Sequence, residues 1–474
     1  MSKRWIPAFA ILCLIVTACG GGTATVPASG TGTPGVSASA SVSASPDGSA
    51  SPAASPSAGG LLDPKEAALL AAGGQRLDGS VSVLGVLGGE EQDAFLETLA
   101  PFEEATGIQI DYESSRDLAS LLQTRVDGGN PPDVVITPTI GQMFDFAEAG
   151  KLVDLGQVID VAALSEHYDE GLLDIATRDD KVFGLFHTVN LGNLIWYNAK
   201  TYEGPKAPAT WDELQAWASQ AAAKGTTPWC MGMGSEAASG WPGAEFITAI
   251  LLRQAGPEFH DRWWQGEVPW TSPEIRTAFE TFGAIATDPK MVYGGPQAVL
   301  ATSFENGADA IYADPPECSL HEQATFMGDI ILANFPDLKP IDDVDFFGMP
   351  DFSAEFSGLQ QISGEMVVMF NDTPQSRAVV KFMAAPESAK LIAETGRWLA
   401  PDTRVPLEAY DSPFLGRAAE ILQGAGGVSY LGSDLLPQAL VEGFWKGTLD
   451  YIKDPAQLDA ILARLETVRG TAYE

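Results

Sequence analysis

The side chains in this sequence best suited to chemistry are tryptophans and carboxylates. Eleven Trp occur among 474 residues, and Trp229, Trp241, Trp270 and Trp398 each stand beside a Gly or Pro turn. Indoles in turns are poor core fillers but good flat platforms. Aromatic faces that stack on C–H patches, with carboxylates and amides that take hydroxyls in pairs, are the wall of a neutral-sugar site. Trp241 and Trp398 are therefore stacking candidates, whereas the tandem Trp263-Trp264 reads as a helix face. Asp314, in the turn Asp314-Pro315-Pro316, is a candidate polar contact. Two carboxylates astride a bond would also serve glycoside hydrolysis. With 63 Asp and Glu in the chain, some pair meets that condition by chance. The sequence holds no nucleophile elbow, P-loop, EF-hand loop or zincin motif. His167, His187, His260 and His321 lack metal-ligand spacing. No catalytic residue, cofactor or metal site is expected.

The elements that must position these groups follow from composition. Hydrophobic residues make up 45%, ample for a large core, and the length suits two or three domains. A net charge of −36 repels phosphate backbones and anionic headgroups, so nucleic acid is excluded as a partner. Lys3 and Arg4 precede an apolar run, Trp5 to Val16, too short to span a bilayer but long enough for a signal-peptide core. The run ends in Val16-Thr17-Ala18-Cys19-Gly20, which resembles the bacterial lipobox. Residues 1–18 are thus a lipoprotein signal peptide, and Cys19 is the expected lipidation site. From Gly20 to Gly60 only Val26, Val36, Val42 and Asp47 are not Gly, Ala, Ser, Thr or Pro. Such a stretch buries too little to repay ordering, so residues 19–60 form a tether of coil length on the order of 35 Å. Cys13 leaves with the signal peptide. Cys230 and Cys318 remain, as one disulfide or as two separately buried thiols.

The folded part opens with a short helical pattern at 63–72. Strands are predicted at 80–84, 108–112 and 134–136, and helices at 90–106, 118–126 and 141–149. This order gives a parallel sheet with helices on both faces. Ligands meet such a sheet at the carboxyl ends of its strands, here 85–91 and 137–142. Glu90 and Gln142 fall there and are candidate contacts. At the far end, Leu458, Ile461, Leu462 and Leu465 mark an amphipathic final helix.

Several phrases resemble one family. Phe102-Glu103-Glu104-Ala105-Thr106-Gly107-Ile108, Gly129-Asn130-Pro131-Pro132-Asp133-Val134 and Phe146-Ala147-Glu148-Ala149-Gly150-Lys151-Leu152 look like the opening of extracellular solute-binding proteins of the maltose-binding type. Leu194-Ile195-Trp196-Tyr197-Asn198 resembles that family's crossing between lobes. Pro208-Ala209-Thr210-Trp211-Asp212-Glu213-Leu214 resembles the helix start that follows it, and Thr210 with Glu213 forms a capping box. Thr227-Pro228-Trp229-Cys230, Gly240-Trp241-Pro242, Asp314-Pro315-Pro316-Glu317-Cys318 and Gly396-Arg397-Trp398-Leu399-Ala400-Pro401 are similar to the α-glucoside-binding branch, with Ala400 where Ser is expected.

The resemblance implies an α/β, two-lobe periplasmic-binding-protein fold of type II, its hinge crossed by two or three strands. Lobe one would be 80–188 with 365–395, and lobe two 189–364 with 396–474. It further implies a Cys230–Cys318 disulfide and ligand contacts from His187, Asn190 and Glu365 at the crossings, beside Glu90, Gln142, Trp241, Asp314 and Trp398. The expected function is carbohydrate capture by a monomer, lipid-anchored on the extracytoplasmic face of the membrane, for an ABC permease. The alternatives are the same fold binding a polyamine or other non-sugar solute, and a secreted glycoside hydrolase.

Overall fold

The computed structural model describes residues 60–168 and 170–473. The signal peptide, Cys19 and all of the tether except Gly60 lie outside the described residues.

Strands β1 (Gly79–Gly85), β2 (Ile108–Ser114) and β3 (Val134–Thr137) form where the apolar pattern predicts them. Helices Glu90–Thr106, Leu118–Asp127 and Ile140–Glu148 follow them in turn. β1 pairs in parallel with both β2 and β3, as right-handed strand–helix–strand units require. A small hairpin, β4 (Thr177–Arg178) with β5 (Lys181–Val182), precedes β6 (Leu185–Phe186).

The chain then leaves this sheet. β7 (Asn190–Leu191) leads into β8 (Leu194–Asn198), the centre of an antiparallel sheet with β9 (Leu320–Gln323) and β10 (Val344–Gly348). β11 (Leu359–Ser363) pairs with β7 and, in parallel, with β13 (Gly427–Tyr430). Through Gly364 and Glu365 the chain returns to the first sheet as β12 (Met366–Met369), antiparallel to both β3 and β6. The first sheet is therefore mixed rather than wholly parallel. Its last strands arrive from far along the chain, beyond the reach of a local strand–helix–strand pattern.

The outgoing and returning passages lie side by side. His187 N–H donates to Glu365 O at 3.0 Å and Gly192 N–H to Gln361 O at 2.8 Å. A third segment joins them, since Val189 and Leu399 exchange backbone bonds of 2.9 Å. The helix Ile140–Glu148 comes close to a later loop: a Cβ on Gly141 would stand 1.7 Å from Leu436 O, so only glycine permits this contact.

Around the second sheet the core is largely aromatic. Trp229, Trp263 and Trp270 are almost fully buried, with Trp263 and Trp270 5.4 Å apart edge to face and Trp270 5.0 Å from Phe444. The final helix, Leu458–Ala472, buries the four predicted apolar residues. The capping box forms as a side-chain bond from Glu213 N–H to Thr210 Oγ1 at 3.2 Å, while Glu213 Oε2 accepts from Ala209 N–H at 2.9 Å. Cys230 and Cys318 are joined by a disulfide, Cα atoms 5.9 Å apart. Among the described residues no helix is long and apolar enough to cross a membrane, and no group of His, Cys, Asp and Glu is placed to hold a metal.

Candidate ligand-binding site

A cavity of about 610 Å³ opens between the first sheet and the elements beyond the crossings, within the range of small-ligand sites. Loops at the carboxyl ends of all three parallel strands form one wall: Val86 and Leu87 after β1, Arg116 to Ser120 after β2, Pro138 and Thr139 after β3, with Glu91 beside them. The floor is the crossing itself, Asn190 with Ser363, Gly364 and Glu365. Opposite stand Trp241 and Glu245 from helix Trp241–Ala255, Phe304, Phe326, the segment Ser433-Asp434, and Glu442, Trp445 and Lys446 from helix Gln438–Lys453. The indole of Trp241 is braced edge-on by Phe304 at 5.2 Å and lies 6.1 Å from Phe326.

The predicted site residues divide. Asn190, Trp241 and Glu365 line the cavity. Glu90, Gln142, His187, Asp314 and Trp398 do not, each for a physical reason. Glu90 is exposed and turned to Arg397, 3.2 Å away. Gln142 is buried one layer back, where its amide donates to Ala119 O at 2.9 Å and so steadies the loop after β2. His187 is buried edge-on against Phe95 at 5.8 Å, and burial pulls its ionisation down to about 4, so it is a neutral packing group at the crossing. Asp314 lies on an exposed turn beside the disulfide. Trp398 is 1% exposed and packs in the core next to Leu399. Of the four turn-flanked Trp, three therefore fill the core, because adjoining segments close over them.

The electrostatics of the cavity are uneven. Arg116 lies 4.0 Å from Glu91 and 3.7 Å from Glu305, with its guanidinium 5.4 Å from the Phe304 ring centroid. Burial raises the Glu91 ionisation, and Arg116 opposes that rise. Glu365 accepts a hydrogen bond from the Thr188 hydroxyl, yet burial pushes it up to about 7. Asp434 is raised well above the ordinary range by burial and by Glu365. Glu245 is raised well above it by burial and by the neighbouring charges of Glu322 and Asp434. Behind Glu245, Asn193 Nδ2 donates to Glu322 Oε1 at 3.2 Å, and Asn193 Oδ1 receives Arg253 Nη1 at 3.4 Å.

Sequence reasoning missed Arg116, Glu245, Asp434 and Trp445, and ranked Glu91 below Glu90. Two signals existed. Arg116 follows the second parallel strand, whose carboxyl end obeys the same rule as the first and third. Glu245 is four residues past Trp241 on one helix and so shares its face. Asp434 and Trp445 carried no comparable signal.

Residues 88–390 match the family model for the bacterial extracellular solute-binding protein. The chain belongs to that family. This solute-binding protein is 36% identical over 375 residues to the osmoprotective compounds-binding protein GgtB of Synechocystis, covering 78% of this chain and 88% of the relative. It is 31% identical over 392 residues to the alpha-glucosides-binding periplasmic protein AglE of Rhizobium meliloti, covering 80% and 85%. Among solved structures, a chitin oligosaccharide binding protein superposes with a TM-score of 0.70 at 19% identity, over 83% of this chain and 98% of that one. RafE in complex with raffinose gives 0.63 at 18%, over 83% and 100%. The fold is thus the two-lobe type II binding-protein fold. The family serves ABC importers on the outer side of the cell membrane, binding solutes rather than converting them.

Proposed function

We propose that this chain captures a carbohydrate, an α-glucoside or other oligosaccharide, and delivers it to an ABC permease. The observation that carries this reading is the composition of the cavity. The side opposite the first sheet offers the rings of Trp241, Phe304, Phe326 and Trp445 together with carboxyls, and the floor adds the Glu365 carboxyl and the Ser363 hydroxyl. Rings stack on C–H faces and carboxyls take hydroxyl hydrogens, the pairing a pyranose needs. The names of the relatives GgtB, AglE and RafE support a small polar or sugar ligand.

In this reading lobe one is 80–188 with 365–395 and lobe two is 189–364 with 396–474, in keeping with the membership of β1, β2, β3, β6 and β12 in one sheet. The crossings at 187–193 and 363–366 act as the hinge, and closure over the sugar is the state a permease reads. Cys19 carries lipid and residues 19–60 hold the monomer to the membrane while it moves. No bond of the sugar is made or broken. Metabolic labelling with palmitate tests the anchor: the label should enter the unaltered protein and be lost in Cys19→Ser.

The test of function is a thermal-shift screen of the chain from Leu61 onward with maltose, trehalose, sucrose, longer α-glucans and spermidine. A ligand at 100 times its dissociation constant adds about 2.7 kcal/mol, a shift of a few degrees in a protein this size. A shift with one sugar, and that sugar recovered unchanged, is the expected result. A second reading has its own observation: Glu91, Asp117, Glu236, Glu245, Glu365, Asp434 and Glu442 line the cavity against only Arg116 and Lys446. That imbalance suits a polyamine, and a shift with spermidine alone would select it.

A further inference from the structure

Glu245 stands apart from the other acids of the cavity. It is only 4% exposed, yet it lines the cavity, and among the described residues its carboxyl has neither a hydrogen-bond partner nor a counter-ion. It is wedged against the outgoing crossing, where a Cβ on Gly192 would stand 3.6 Å from Glu245 Oε1. Its charged surroundings can be named by element. From β9 comes Glu322; from the turn Gly432–Leu435, Asp434; from helix Gln438–Lys453, Glu442 and Lys446 at the cavity wall. β11 contributes no charged group to the cavity, only Ser363. The packed helices Pro257–Trp264 and Pro273–Ala286 send no charged group into the cavity. On its own helix, Arg253 is turned to Asn193 and its attraction falls on Glu322.

A dissociated carboxylate only accepts hydrogen bonds, whereas a carboxylic acid also donates one. The ring and glycosidic oxygens of a sugar are acceptors without a hydrogen, so a site rich in acceptors reads them only through a donor. A buried acid whose nearest charged neighbours are two other acids is pushed to keep its proton, as buried acids elsewhere do when they must donate at neutral pH. We propose that Glu245 is a specificity-determining residue that meets an acceptor oxygen of the ligand as a donor, through an undissociated carboxyl. The inference rests on the sugar reading above.

The experiment uses the full chain at pH 7 and the sugar that gives the largest thermal shift. Calorimetric titration is compared for the unaltered chain, Glu245→Gln and Glu245→Ala. The Gln variant keeps a neutral donor of the same shape and is expected to bind within threefold of the unaltered chain. The Ala variant is expected to lose tenfold or more. A Gln variant weakened beyond threefold would mean the ligand meets a carboxylate, and an Ala variant within threefold would mean Glu245 does not touch it; either result overturns the inference. A measurement on the unaltered chain alone guards against misfolded variants. The infrared difference spectrum, sugar-bound minus free, should contain a shifted acid-carbonyl stretch, and its absence also overturns the inference. If no sugar binds the unaltered chain, the sugar reading itself has failed and this inference with it.

Discussion

Arg116 and Glu365 face one cavity under opposite electrostatic conditions. On the first-sheet wall, Arg116 stands between Glu91 and, from the opposite side, Glu305, so one cation partly offsets two acids where the loops meet solvent. On the crossing and the far wall, Glu365, Asp434 and Glu245 are buried acids: Glu365 raises Asp434, and Asp434 with Glu322 raises Glu245, while Glu365 is itself raised by burial and by Glu91. Balanced charges at a rim are worth little and fade with salt. Unbalanced buried acids hold protons and make folding and binding depend on pH. The site therefore has one wall where Arg116 opposes the rise of its acid, Glu91, and one where Asp434 and Glu245 rise with no cation to oppose them.

The largest expected effect lies in the core beside the crossing. Trp398→Ala removes a fully buried indole packed beside the crossing and should cost about 3–5 kcal/mol in urea denaturation. Sugar affinity of the surviving folded protein should be nearly unchanged. A large loss of affinity at unchanged stability would put Trp398 back among the ligand contacts.

Next is the pH response of the crossing. The ordinary carboxyl value for Glu365 is 4.5 and the folded value is about 7. Between these the folded state keeps a proton that the unfolded chain has lost, so stability falls as pH rises from 4.5 to 7 and is level above. Glu365→Gln should remove that fall. At pH 8 the variant should be more stable by up to about 3 kcal/mol, with no gain at pH 4. Parallel stability curves for the two proteins would contradict the contrast between the walls.

Trp241→Ala is the complement of Trp398→Ala. It should weaken sugar binding by tenfold or more, about 1.4–3 kcal/mol by calorimetry, and change stability less than Trp398→Ala does. The smallest effect belongs to the first-sheet wall: Arg116→Ala should lower stability by no more than about 1 kcal/mol, a difference that shrinks in 1 M salt. A larger cost that salt does not touch would mean that wall is as tightly coupled as the other.

The same contrast separates what sequence reveals from what it hides. The first sheet's parallel strands and helices were legible because each is a local pattern: alternation in Ile108-Gln109-Ile110, helical spacing in Phe95, Leu99 and Phe102, a left-handed Gly107 as the stop. The place of the loops after β1 and β3 was legible with them, from the rule about strand ends, although Glu90 and Gln142 do not reach the cavity and Arg116, after β2, was missed. The acidic wall was not legible. Glu245 and Asp434 come from a helix and a turn far apart in the chain, and nothing local separates them from the other acids; Glu365 was expected only through the resemblance of its segment to a lobe crossing. Tryptophans misled for a related reason. A turn flanked by Gly or Pro says that an indole sits at a bend, not whether another segment will cover it, and Trp229, Trp270 and Trp398 are covered by segments remote in sequence.

The most direct test of the central claim is calorimetric titration of the chain from Leu61 onward with maltose, trehalose and sucrose at pH 7, repeated with Trp241→Ala. Saturable one-to-one binding of at least one sugar, weakened tenfold or more in the variant and with the sugar recovered intact, is the predicted result. Binding of spermidine but of no sugar, or release of a hydrolysis product, would contradict it.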